Sequence, residues 1–293
     1  MSIVEVSPGV SIEYETFGDP SDPAVLLVMG FSAQMIGWHE DFCHALAERG
    51  RYVIRYDNRD CGLSTKFDDH PVDTGRLIEV VSSGDIASAL AMVPYTLQDM
   101  ADDGLGLLTA LGIERAHVVG SSMGGMLAQT MAISRPERLL TLTSMMSSTG
   151  EPEYGRSSAE AQAVLFTPKP SDREGYIAAA ERDLMWSSKR YGNPALLREL
   201  AARSYDRAYY PAGAGRQLGA MILSSSRAEA LRELRVPTLV VHGLDDVLVD
   251  PSGGKRTAEL VPGAKLLLLP DMGHDRPREL WREIIDALDA HTS

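Results

Sequence analysis

Two cysteines, Cys43 and Cys61, are all that 293 residues contain, too few and too far apart for a disulfide framework or a zinc site. Free thiols in a reducing cytoplasm are the expectation. No stretch approaches the roughly 18 apolar residues of a membrane span. Met1 to Val10 carries Glu5 and lacks both a basic start and a continuous apolar run, so no secretory signal is expected there. A basic excess is also missing: 28 Lys and Arg face 41 Asp and Glu, for a net charge of -13. Nothing would neutralise phosphates, so neither nucleic acid nor an anionic membrane is an expected partner. Internal repeats and low-complexity segments are absent. The Walker pattern is absent too, and Gly213-Ala214-Gly215 has its next glycine at 219, which fails dinucleotide spacing. Neither a metal nor an organic cofactor is expected.

What is present is 44% hydrophobic and 24% charged, enough for one substantial core, or for a core plus an attached subdomain. Val10 to Phe17 alternates as a half-buried strand. Ala24 to Met29, Tyr52 to Tyr56, Ala116 to Val119, Leu140 to Met145, Thr238 to Val241 and Lys265 to Leu269 are nearly continuous, as strands covered on both faces are. Helix-length segments lie between: Trp38 to Arg49, Leu97 to Leu111, Met123 to Ile133, Gly253 to Leu260 and Arg278 to His291. Strand then helix, repeated, predicts a doubly wound α/β sheet with helices on both faces. From about Ser148 to Leu234 there are helix-like patches but no strand. This predicts a core domain of residues 1–147 and 235–293 carrying a helical cap, 148–234. A shorter interruption, Phe67 to Pro94, has room for one short helix from Ile86 to Met92.

The pattern Gly120-Ser121-Ser122-Met123-Gly124 follows one predicted strand directly and opens a predicted helix. That strand-turn-helix setting is what a nucleophile elbow requires. So tight a turn leaves no space for side chains two before and two after the serine, hence Gly120 and Gly124. Ser122 is the candidate nucleophile. The Met123 N–H, at the positive end of the helix dipole, is a candidate oxyanion donor. Its partner would be the Phe31 N–H, freed to turn by Gly30 after the strand ending at Met29.

Of seven histidines, His39, His44 and His291 fall in predicted helices and read as surface residues. His70 lies in a loop, and His117 and His242 lie in strands. His274 alone follows the last strand, at the carboxyl edge of the sheet where catalytic groups gather. The carboxylate that orients it should follow the strand Pro237 to Val241, where Asp245 and Asp246 are adjacent. Asp246, three positions beyond Gly243, is the stronger candidate, with Asp245 as the alternative. The order serine, aspartate, histidine is that of α/β hydrolases. Met35, Trp186, Met221 and Met272 fall in or near segments expected to cover Ser122 and are candidates for an apolar, adaptable pocket.

Val28-Met29-Gly30, Arg55 to Asp60 with Gly62 and Ser64, Tyr95-Thr96-Leu97, Ala116 to Met126, Val236-Pro237-Thr238 and Met272-Gly273-His274 resemble the α/β-hydrolase superfamily along nearly the whole chain. Within it they look most like the aclacinomycin methylesterase group. The resemblance implies a mostly parallel eight-stranded sheet. It also implies hydrolysis of a methyl ester on an anthracycline polyketide by serine, histidine and aspartate, here Ser122, His274 and Asp246. The segments 67–94 and 148–234 depart from that group. The expected activity is a serine carboxylesterase acting on a small-molecule ester. A lactonase, thioesterase, carbon–carbon bond hydrolase or cofactor-free perhydrolase on the same fold is the alternative, and a non-catalytic ligand receptor a third class. A carboxylate-nucleophile dehalogenase or epoxide hydrolase is disfavoured by the serine at 122. Arg59, Asp60 and Ser64 are expected to tie the loop in which they lie.

Overall fold

The computed structural model describes residues 2–293. The chain runs through β1 (Ser2–Ser7), β2 (Val10–Phe17), β3 (Ala24–Val28), α1 (Glu40–Ala47), β4 (Tyr52–Tyr56), α2 (Thr74–Ser82), α3 (Ile86–Leu90), α4 (Leu97–Ala110), β5 (Ala116–Ser121), α5 (Met123–Ser134) and β6 (Leu139–Met145). It continues through α6 (Ala159–Phe166), α7 (Arg173–Ala179), α8 (Pro194–Ala208), α9 (Ala212–Ile222), α10 (Ala228–Glu233), β7 (Thr238–Gly243), α11 (Ser252–Leu260), β8 (Lys265–Leu269) and α12 (Trp281–Thr292). The sheet order is β1-β2-β4-β3-β5-β6-β7-β8. β2 is antiparallel to both its neighbours, and every later pairing is parallel. β1, an exposed edge strand, has no counterpart among the runs read from sequence.

The continuous runs are central strands because both faces are covered. All of β3, β5 and β7 is buried. On one face, α4, α5, α10 and α11 pack Leu105, Leu108, Leu127, Met131, Leu231 and Leu260 against Leu26, Ile54 and Val118. On the other, α1 and α12 pack Phe42, Leu46, Ile284 and Leu288 against Val25, Leu27, Val119 and Val241. Each fully buried side chain of this kind stabilises by about 1.5–3 kcal/mol over leaving it exposed. α4 begins where Thr96 and Asp99 close a reciprocal capping box. His39 is the N-cap of α1 and accepts from the Asp41 N–H, so that helix starts two residues after Trp38.

β3 has β4 on one side and β5 on the other, so the chain reverses direction of progress across the sheet at the carboxyl ends of β3 and β5. Ligands of open α/β sheets bind at such a switch point. Between β6 and β7 the chain forms helices α6 to α10 and no strand. The last of them, α10, packs Ala228 and Leu231, with Leu234 just after it, into the same apolar cluster as α5. The 67–94 segment holds two helices, α2 and α3, where one was expected; α2 buries Leu77 alone, although Leu77, Ile78, Val80 and Val81 recur at helical spacing. No helix among the described residues is long and apolar enough to cross a membrane.

Candidate active site

Ser122 sits between β5 and α5 with φ 58° and ψ -122°, a conformation that L-residues rarely adopt. Neighbouring glycines make this turn possible. A Cβ on Gly120 would stand 2.0 Å from the Gly124 carbonyl oxygen, and one on Gly124 would stand 2.2 Å from that of Val28. The Ser122 N–H bonds to Met145 O at 2.9 Å, which anchors the turn to β6.

The His274 loop and the carboxyl end of β7 converge on this turn. His274 Nε2 is 2.9 Å from Ser122 Oγ, and its Nδ1 is 2.7 Å from Asp246 Oδ2. A carboxylate only accepts, so Nδ1 carries the proton and Nε2 presents its lone pair to the serine hydroxyl. Asp246 Oδ1 accepts from the Leu248 and Val249 amides at 2.9 and 2.8 Å, which fixes the carboxylate plane. Burial pushes its pKa up; the charge of His274, with hydrogen bonds from His242 and His274, outweighs this and holds it down at about 2. Asp245 points away, accepting from the Lys189 N–H and pairing with the Lys189 ammonium at 3.2 Å.

Gly30 brings the loop after β3 against the serine, since a Cβ there would lie 3.1 Å from Ser122 Cβ. Phe31 follows it in the cleft wall, and Met123 opens α5 on the other side of Ser122. The motif after β4 holds this loop in place. Asn58 Nδ2 donates to Met29 O at 3.0 Å, and Asp57 accepts from the amides of Met35 and Leu63. Ser64 Oγ donates to Asp57 O, and Arg59 pairs with Asp103 at 2.6 Å. Asp60 does more than tie its own loop, because it accepts two hydrogen bonds from Arg216 on α9.

Ser122 and His274 open into a cavity of about 760 Å³ whose far wall comes from the segment between β6 and β7. Trp186 lines it as expected, together with Phe166, Tyr176, Tyr191, Tyr209 and Leu200. Met35, Met221 and Met272 do not. Met35 is fully buried in a tight turn whose N–H bonds Asp57. Met272 is packed beneath the sheet beside Leu239 and Ile284, and Met221 lies against the core cluster on α9. The methionines in the lining are Met29 and Met146.

Three residues near the site were given no role in it from the sequence. His242 Nε2 lies 3.4 Å from Asp246 Oδ2 and 2.8 Å from Val249 O, a contact its place four residues before Asp246 could have suggested. Asp275 accepts from the amides of Ser188 and Gly273. Arg276 donates to Ser121 Oγ at 2.8 Å. His291, expected at the surface, is buried with Nε2 against Leu142 O, because α12 lays that face on β6.

The α/β hydrolase fold family matches residues 23–275. Rhodomycin D methylesterase DauP of Streptomyces sp. (strain C5) is 27% identical, over 97% of this chain and 95% of its own. The putative carbamate hydrolase RutD of Pseudomonas savastanoi pv. phaseolicola is also 27% identical, over 92% and 95%. Among solved structures, the enol-lactonase of Burkholderia xenovorans LB400 superposes with a TM-score of 0.73 at 22% identity, covering 99% of both chains. Matched along nearly its whole length, the chain belongs to the α/β-hydrolase fold family and is a hydrolase.

Proposed function

We propose that the protein is a serine carboxylesterase that cleaves the methyl ester of a bulky aromatic acid. The observation that carries this reading is the unbroken chain of hydrogen bonds from Ser122 Oγ through His274 to Asp246. Ser122 Oγ attacks the ester carbonyl while His274 Nε2 takes its proton. The oxyanion is held by the Phe31 and Met123 amides, each such donor contributing about 2.7–4 kcal/mol in comparable enzymes. Collapse of this intermediate transfers the proton from His274 to the departing methoxide, leaving an acyl-serine. Water repeats the sequence and releases the acid. No step calls for a metal or organic cofactor.

The substrate class rests on two supports. The cleft wall is aromatic: Phe166, Tyr176, Trp186, Tyr191 and Tyr209 line it, and Tyr176 meets Tyr209 edge-on at 5.6 Å. Such faces suit a flat ring system. The second support is the likeness to a rhodomycin D methylesterase. The helical segment 148–234 acts as the cap that sets the acyl pocket.

Turnover of p-nitrophenyl acetate and of methyl esters of graded acyl size tests the reading. Ser122→Ala should retain its circular dichroism, stop labelling with a fluorophosphonate probe, and lose at least about 10³-fold in kcat. Unchanged turnover in that variant would remove Ser122 from the mechanism. A preference for lactones over methyl esters across the same panel would move the activity to ring opening.

A further inference from the structure

Cleft-lining cations are otherwise each neutralised by a protein carboxylate. Arg203 pairs with Glu40 at 2.6 Å, Arg278 with Asp41 at 3.4 Å and Lys169 with Asp183 at 3.7 Å. Arg276 differs. Among the described residues no carboxylate oxygen comes within 4.0 Å of its guanidinium. The nearest acid in sequence, Asp275, turns Oδ1 to the Ser188 and Gly273 amides instead.

The guanidinium is nevertheless held firmly. Nη1 donates to Ser121 Oγ and Nη2 to Gly37 O, both at 2.8 Å, and the planar group lies 4.1 Å over the ring of Trp38. Nε has no partner among the described residues. The residue is half-buried in the cleft wall. Burial of the cation pulls its pKa down to about 10, so it stays charged at neutral pH. A partly buried cation with no paired carboxylate, favoured only by the more distant charge of Asp275, gains from an anion that joins it. Nη2 also faces Met29 Sδ at 3.9 Å, which leaves the Nε–H and one Nη1 hydrogen of this fixed guanidinium to donate to a carboxylate.

We propose that Arg276 is the anion subsite of this cleft and that the preferred ester carries a free carboxylate on its acyl part. The placement follows from the esterase reading, on which it rests: methanol, the leaving group, has no position for a charge. Ser121, to which the guanidinium is tied, is the neighbour of Ser122, so the carboxylate is held close to the scissile ester.

The test compares methyl esters of ortho-, meta- and para-carboxybenzoic acid with the neutral carbamoyl isosteres. For at least one regioisomer the carboxylate should be turned over about tenfold or more better in kcat/KM, the effect of one charge-assisted contact. Arg276→Met should abolish that ratio and Arg276→Lys should keep part of it. Equal or reversed preference in all three wild-type pairs overturns the subsite while leaving the esterase intact, and so does a ratio that survives Arg276→Met. If no methyl ester is turned over, the esterase reading fails and binding decides the subsite. Calorimetric titration of Ser122→Ala with the three benzenedicarboxylates should then show saturable binding that Arg276→Met removes. Absence of binding overturns the proposal.

Discussion

Asp245 and Asp246 share a turn, yet only Asp246 reaches His274, and the sequence could not separate them because two adjacent carboxylates after one strand carry the same pattern. Asp246→Asn should lower kcat by about 10⁴-fold, since the amide leaves the imidazole in the wrong tautomer. Asp245→Asn should change kcat by no more than about twofold, because it lies on a pair with an exposed lysine. The same carboxylate has a pH signature. Its folded pKa lies near 2 against an ordinary 3.8, so its contribution is present above about pH 4 and is lost as the pH falls through 2. Urea unfolding should find wild type ahead of Asp246→Asn by a margin that narrows by about 2 kcal/mol between pH 5 and pH 2. A margin independent of pH would contradict the assignment. The serine, the histidine and both glycines were legible from order and spacing. Met35, Met221 and Met272 misled because residue type does not say whether a side chain turns toward the cleft or the core.

At the scale of elements, the turn between β5 and α5 separates glycines that are required from those that are not. Gly124→Ala presses a methyl group onto the Val28 carbonyl, where backbone must shift. It should cost about 3 kcal/mol or more in urea unfolding. Gly215→Ala is the contrast: inside α9 the new methyl meets nothing closer than Val72 O at 3.8 Å, so it should stabilise by up to about 1 kcal/mol. Loss of stability in the second variant would show that α9 is strained. The strands of the sheet were legible because burial on both faces leaves continuous apolar runs. The helices between β6 and β7 were legible only as a strandless stretch. α6 buries Ala161 alone and α8 buries Ala201 alone; the apolar side of α8, with Leu197 and Leu200, lines the cleft instead of packing into the core.

Across the whole molecule, the segment between β6 and β7 is joined to the sheet layer by buried ion pairs as well as by the apolar contacts of α9 and α10. Arg216 reaches Asp60, and Arg207 reaches Asp57 at 2.7 Å. Gln217 accepts from the Ser32 N–H and donates to Arg59 O. None of these long-range pairings leaves a local signal. Arg216→Met strands the buried Asp60 charge and should cost about 3–5 kcal/mol, with the protein still unfolding in one cooperative transition. A separate early transition would instead mark the segment as an independent folding unit. The two thiols behave uniformly at this scale: Cys43 and Cys61 are both buried, and burial pushes each up to about 12. At neutral pH both native thiols should therefore react slowly with a maleimide, Cys61 included although it borders the cleft. A single cysteine introduced at an exposed cleft position, as in Phe166→Cys, would be the one reactive site, ready to carry a fluorophore that reports occupancy of the cleft without stripping the native cysteines first.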